Sequence, residues 1–184
     1  MLADPPRDFI VRPIDPERDG LALHALFGDE DSCRFLTRPA SQSVAGTIAM
    51  LREWMGRGED INWAIADTED GPAIGRVSVY PRDKNNVWNA ACMIVPAARG
   101  RNLAVRALAL ALDEAFETLA ARRITADIDP DNHASIRVFE RLGFTLEARL
   151  RGEWETHIGI RDSLIYGLLR GDPRPWRSWP RTAR

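Results

Sequence analysis

The chain has 184 residues, 45% hydrophobic and 28% charged, with 25 Lys and Arg against 27 Asp and Glu for a net charge of −2. That is the composition of one globular domain long enough to bury a sizeable core, and the near-neutral balance gives no global pull toward nucleic acid or an acidic membrane. Two cysteines, Cys33 and Cys92, make neither a disulfide framework nor a metal-binding spacing; the N-terminus lacks a signal peptide's apolar stretch, and no apolar run approaches membrane-spanning length. The expectation is a soluble cytoplasmic protein without a metal.

After an N-terminal extension at 1–8, residues 9–14 read as a first strand ended by Pro13 and Pro16. Residues 15–27 form a short helix carrying Leu21, Leu23, Ala25 and Leu26, broken by Gly28-Asp-Glu-Asp31. Residues 32–40 are irregular, because Pro39 stops any element running through them. Ser41 or Ser43 is an N-cap for a second helix, with Val44, Ile48, Leu51 and Met55 at helical spacing and Gly56 and Gly58 after it. Residues 62–67 and 73–80 are strands joined by an Asp70-Gly71 hairpin turn. A turn at 83–86 leads into an apolar strand at 88–95, where Cys92 is expected to be a small core residue.

Pro96 ends that strand, and a long helix at 103–119 follows. Leu108, Ala111, Leu112, Ala115 and Leu119 share one face of it, with Arg106, Asp113 and Glu117 opposite. Residues 123–129 are a strand, and 132–142 a helix stopped by Gly143. Residues 144–151 alternate as a half-buried strand, with Phe144, Leu146, Ala148 and Leu150 inward. A connection containing Glu153-Trp-Glu-Thr-His157 follows, then a tight Gly159-Ile-Arg turn before Asp162 and a closing strand at 163–169. This order predicts a mixed α/β fold with a largely antiparallel sheet of six to seven strands, about four helices, and a parallel pair flanking the long helix. Residues 171–184 depart from that pattern. They hold Pro173, Pro175, Pro180, Trp176 and Trp179, and four arginines against Asp172. They read either as a solvated tail or as a segment whose tryptophans dock on the domain or on a second subunit.

The segment with most chemistry is the strand end, the basic turn Ala97-Ala-Arg-Gly-Arg-Asn102 and the helix start after it. The first N–H groups of a helix have no intrahelical partner, and the helix dipole favours negative charge there. Arg99 and Arg101 add charge, so a diphosphate is the expected ligand, on the amides from Gly100 to Val105. Neither Walker nor dinucleotide glycine spacing is present. The plain alternative is a solvated connection leading into a core helix.

Arg99-x-x-Asn102-x-Ala104 resembles the Arg/Gln-x-x-Gly-x-Gly/Ala turn of the GNAT acyl-CoA N-acyltransferases. Asn132-x-x-Ser135-x-x-x-x-Glu140-x-Leu142-Gly143-Phe144 resembles the next motif of that superfamily, in the dialect of its ribosomal-protein N-acetyltransferase (RimJ/RimL-like) branch. Leu146-Glu147-Ala148-Arg149-Leu150-Arg151, Arg161-Asp162 and Leu164-Ile165-Tyr166-Gly167-Leu168-Leu169 continue it. The resemblance covers about residues 9–170, leaving the extension and the tail outside. Asn102 departs from it, standing where the family usually has glycine; Asn is among the residues that best tolerate positive φ.

The resemblance implies a GNAT-like sheet whose central parallel pair splays apart, with the pantetheine of acetyl-CoA in the gap against Ile94 and Val95. It implies that Arg99, Gly100, Arg101, Asn102, Leu103, Ala104 and Val105 hold the diphosphate, and that Asn132, Ser135 and Phe139 line the arm. In that branch the helix serine, or a tyrosine one turn later, sits near the CoA sulfur. The later position here is Phe139, so Ser135 is the candidate proton donor to the departing thiolate. Ser135 also reads plainly as a first-turn hydroxyl bonding the backbone. Many relatives carry an acid on the strand before the turn, whereas Trp88-Asn89-Ala90-Ala91 has none. Asp127, Asp129, Glu153 and Glu155 are the alternatives, each also readable as a solvated carboxylate. His24 and His133 read as surface residues, and the resemblance puts His157 near the acceptor end. The implied activity is direct acetyl transfer to a primary amine by a monomer or homodimer, first a protein N-terminal amine, alternatively a polyamine, aminoglycoside or amino-acid derivative. A non-catalytic acyl-CoA-binding protein is the other class.

Overall fold

The computed structural model describes residues 8–55, 61–82 and 85–179. Helix starts follow their caps. Asp15 accepts from the amides of Glu17 (2.9 Å) and Arg18 (3.3 Å), with Pro16 in the first position, and opens α1, Pro16–Phe27. Asp29 accepts from Ser32 N and opens a short α2, Glu30–Cys33. Of the two serines offered as cap for α3, Val44–Met55, Ser43 does the work: its Oγ accepts from Gly46 N at 3.1 Å. Then come β2 (Ile61–Ala66), β3 (Ala73–Pro81), β4 (Val87–Ile94), a 3-10 turn at Pro96–Ala98, α4 (Leu103–Glu117), β5 (Arg123–Ile128), α5 (His133–Arg141), β6 (Thr145–Thr156) and β7 (Gly159–Leu169), with β1 (Ile10–Pro13) at the start. The cap-driven α2 makes five helices among the described residues where about four were expected; it falls where the glycine-and-acid stretch reads as a break.

The seven strands form one sheet in the order β1-β2-β3-β4-β5-β7-β6, antiparallel except for β4 and β5. That parallel pair runs only from Val87–Asn89 against Arg123–Thr125. Beyond Asn89 and Thr125 the strands pair no further with each other, although β4 continues to Ile94 and β5 to Ile128. The expected splay is therefore present.

α4 packs on β2, β3 and β4 and buries Leu103, Leu108, Leu112 and Phe116 almost completely. Its polar face is not left to solvent. Arg106 is 7% exposed, lies over the Phe9 ring at 4.7 Å and pairs with Asp8. At the other end Asp113 and Glu117 take Arg174 and Arg177, and Asp113 also accepts from Trp176 Nε1 at 3.0 Å. Trp176 is buried, in a second 3-10 turn at Pro175–Ser178. Of the two readings of the C-terminal segment, docking on its own domain holds through Trp179.

Two strand expectations need correction. The hairpin is longer than 144–151 and 163–169: β6 and β7 continue to a turn at His157 and Ile158. Asp162 therefore sits inside β7 rather than after a turn, accepting from Gly152 N at 2.9 Å and from Arg149. Leu146 is not inward but 50% exposed, because β6 is an edge strand paired only with β7 and reaching past the core; Phe144, just before it, is buried. Among the described residues no helix is long and apolar enough to cross a membrane.

A buried ion pair ties β1 to α1. Arg12 and Asp19 make two bonds, at 2.8 and 2.7 Å, with side chains 6% and 1% exposed. Asp19 also accepts from Asp15 N at 3.0 Å, and Arg12 donates to Gly71 O at 3.1 Å. The carboxylate raises the Arg12 pKa further above its ordinary value. Removing one partner strands the other charge in the interior. Asp19→Ala should cost about 3–5 kcal/mol of unfolding free energy by chemical denaturation; a loss under ~1 kcal/mol would mean that the site rehydrates freely.

Candidate active site

The gap begins where Thr125 closes the parallel ladder. This buried threonine donates through Oγ1 to Trp88 O at 3.2 Å and bonds the Asn89 side chain. Asn89, the nearest polar residue to where an acid was sought, is committed to that closure. Past it, residues 90–94 of β4 and 126–128 of β5 face each other without a ladder. Backbone amides and carbonyls inside a sheet need partners, so these edges form a slot matched to an extended, amide-bearing chain.

At the top of the slot the chain turns through Pro96–Ala98, passes Gly100 at φ 84° and Asn102 at φ 57°, and starts α4 at Leu103. Asn102 thus occupies the left-handed conformation that glycine adopts most freely. It makes no side-chain cap bond to the helix, which leaves the first amides of α4 open to an anion. A Cβ on Gly100 would meet nothing within 4 Å, so that position asks for positive φ, not space. The arginines are arranged unequally. Arg101 bonds Asp67 Oδ1 at 2.7 Å and Asp8 O at 3.2 Å, so a carboxylate already offsets its charge. Arg99 bonds Ile94 O at 3.2 Å and Ser32 Oγ of α2, and it reaches a carboxylate only indirectly, through Ser32 to Asp29. A third arginine, absent from the sequence reading, joins them: Arg141 Nη1 donates to Asn102 Oδ1 at 3.2 Å. No local spacing pointed to it, because the contact joins the end of α5 to a turn far earlier in the chain.

On α5, Asn132 is the cap, accepting from Ser135 N at 3.1 Å. Ser135 is half-buried, and its Oγ has no protein partner among the described residues, so the plain reading of a hydroxyl spent on the backbone does not hold. Phe139 is 4% exposed and packs edge-on against Phe144 at 5.0 Å, a core role. His133 is exposed.

The carboxylates considered as bases are engaged or solvated. Asp127 accepts from Ser163 Oγ and from Trp154 Nε1 at 3.0 Å. Asp129 accepts two bonds from Arg161, at 2.7 and 2.9 Å, which hold its carboxyl below the usual range and make it a poor proton acceptor. Glu153 and Glu155 are exposed. Burial pushes the Cys92 thiol up to about 12, which rules it out as a nucleophile at neutral pH.

An open cleft of about 430 Å³ lies between the α2 region and the β6–β7 hairpin turn. Glu30, Asp31 and Arg34 of the α2 region line one side, Pro39, Ala40 and Gln42 another, and His157 and Ile158 of the hairpin turn close it. Arg34, in its wall, is near enough to help lower the Asp129 pKa, and Asp129 directly follows β5, so this wall of the cleft lies on the side of the C-terminal end of β5. His157 lies on one side of this cleft, and α2, which the sequence reads as a break, forms the other.

The family of the acetyltransferase (GNAT) domain matches residues 8–145. The chain belongs to the GNAT acetyltransferase family. Probable N-acetyltransferase YjcK of Bacillus subtilis is 29% identical over 118 residues, 60% of this chain and 65% of that one. Spermidine N(1)-acetyltransferase of Escherichia coli K12 is 34% identical over 88 residues, 46% of each chain. The spermidine N-acetyltransferase of Vibrio cholerae, in complex with CoA and spermine, superposes with a TM-score of 0.77 at 17% identity, covering 89% of this chain and 96% of that one. In this GNAT domain Asn102→Gly should leave acetyl-CoA affinity unchanged or tighten it up to about fivefold, since glycine reaches positive φ freely. Asn102→Val should weaken it at least as much, because a β-branched residue resists that conformation. Isothermal calorimetry distinguishes the two; a tolerated valine would show that the turn conformation does not matter.

Proposed function

We propose that this GNAT domain transfers the acetyl group of acetyl-CoA directly to a primary amine on a small cationic molecule. The observation that carries this reading is the cleft between α2 and the hairpin turn, where Glu30 and Asp31, against the single cation Arg34, offer a net negative wall to a positively charged acceptor. The spermidine acetyltransferase similarity points to the same class of acceptor. In this reading the diphosphate lies on the amides from Gly100 to Val105, and the pantetheine pairs with the slot edges near Ile94 and Val95. Arg99, and Arg101 shared with Asp67, supply positive charge, and Asn132 and Ser135 approach the arm from α5.

The chemistry needs few groups. A neutral amine nitrogen attacks the thioester carbonyl carbon, the C–S bond breaks, and the thiolate takes a proton while the new amide nitrogen loses one. An aliphatic amine beside Glu30 and Asp31 is held as an ammonium, so it must release a proton before attack, through water or His157. Ser135 Oγ, with no protein partner among the described residues, supplies the proton to sulfur directly or through a water. No covalent acyl-enzyme is needed, in keeping with the unreactive Cys92.

A protein N-terminal amine is the second reading, favoured by the RimJ/RimL-like dialect of Asn132 to Phe144. An α-amino group, with a pKa near ~8, would need less help to lose its proton. Thiol release from acetyl-CoA across polyamines, aminoglycosides, amino-acid derivatives and N-terminal peptides decides between them. Turnover of a polycationic amine that falls on Glu30→Gln and Asp31→Asn supports the first; turnover of peptides alone supports the second. Binding without turnover of any amine would leave a non-catalytic acyl-CoA-binding protein. With the preferred acceptor, Ser135→Ala should lower the single-turnover rate by ~10²-fold, as for a lost general acid, with little change in acetyl-CoA affinity. An unchanged rate would leave water as the proton source.

A further inference from the structure

The last described residue connects to the donor turn through two contacts. Trp179 lies under the Arg141 guanidinium, 4.9 Å from it, and Arg141 donates to Asn102 Oδ1 at 3.2 Å. Asn102 is the non-glycine residue at φ 57° on which the start of α4 depends, and its side chain takes no bond from its own helix. An asparagine reaches that conformation more readily than most residues, and a side-chain bond fixes it there. Here the donor is Arg141, an exposed side chain at the end of α5 whose rotamer freedom must be given up to make the bond. What restrains Arg141 is Trp179, carried on a segment with a fixed seat. Trp176 is buried with its Nε1 on Asp113, and Arg174 and Arg177 grip Asp113 and Glu117. Gly143, just past α5, lets Pro175 approach until a Cβ there would stand 3.1 Å from Pro175 Cδ.

We propose that the C-terminal segment is a positioning element of the donor site: Trp179 holds Arg141, and Arg141 holds Asn102 in the turn conformation that receives acetyl-CoA. Arg141 and Trp179 act through Asn102, so they are positioning residues, not catalytic ones. The inference rests on reading that turn as the CoA diphosphate site. It gives the tail a function in a position the family match, which ends at residue 145, does not reach. It also gives the Asn102 side chain a part that glycine could not play, since glycine reaches positive φ with no side chain to be held.

The test is CoA binding by calorimetry on the full chain. Arg141→Ala and Trp179→Ala should each raise the Kd ~5- to 10-fold, about the effect of one lost hydrogen bond, while circular dichroism melting shows the fold retained. Arg141→Lys and Trp179→Phe, which keep a donor and a ring, should stay within about twofold of the parent. The deciding variants add Asn102→Gly to each alanine change. If the brace acts through Asn102, glycine restores parental affinity, because it reaches positive φ unaided. Unchanged affinity in both alanine variants overturns the inference while leaving the donor site standing. A loss that Asn102→Gly fails to repair also overturns it, and makes Arg141 a direct contact of CoA instead. A parent chain that binds no CoA overturns the donor-site reading and the inference together.

Discussion

The parallel pairing of β4 and β5 lasts three residues and then stops, and the candidate site follows from that. β4 is paired on its far side with β3 from Trp88 to Ile94, and β5 with β7 along its whole length. Each strand is thus fully anchored in half of the sheet, and the two halves part between them. Their facing edges keep backbone donors and acceptors that a folded domain does not leave bare without a use. Thr125 and Asn89 set where the parting begins, and Pro96 and α4 set where it ends. A single interruption in one ladder therefore provides a slot, and the helix start at its mouth leaves its first amides without a side-chain cap.

The rest of the chain serves to hold α4 in place over that slot. The apolar face of the helix is fixed by the core, as amphipathic helices are. Its polar face is held from both ends, by Asp8 and Phe9 on Arg106 and by the tail on Asp113 and Glu117. Exposed ion pairs contribute little singly, but here they surround a buried tryptophan and share carboxylates, which is where charge networks matter. Glu117 is held below its usual pKa by Arg174 and Arg177, and the arrangement loosens as pH falls through that lowered value. A helix whose N-terminus must present amides in fixed positions gains from being clamped at its far end.

Much of this was legible in the residues. Periodicity located α1, α3, α4, α5 and the strands from β2 to β5 to within a residue or two at most ends, and strand-turn-helix order implied the parallel pair. The positive φ of Asn102 was readable from its place in the turn. What local patterns could not carry were contacts between distant segments. α2 rests on one cap, Asp29 with Ser32, within a stretch that reads as a break. The length of the β6–β7 hairpin depends on pairing between Trp154–Thr156 and Gly159–Arg161 at a sheet edge, where burial no longer imposes alternation. Arg141 enters the site only because α5 ends beside the donor turn. The cleft exists only because the hairpin turn meets α2. Phe139, matched to a motif position, proved to be core because Phe144 folds back onto it.

Hydrogen exchange in the presence and absence of CoA tests the central claim most directly, since the claim concerns backbone groups. If the parted strands and the start of α4 form the donor site, saturating CoA should slow exchange of amides in residues 90–94, 126–128 and 100–105, with little change in the β2–β3 ladder. CoA bound with those amides exchanging at their free rate, or protection confined to the cleft between α2 and the hairpin turn, would contradict it.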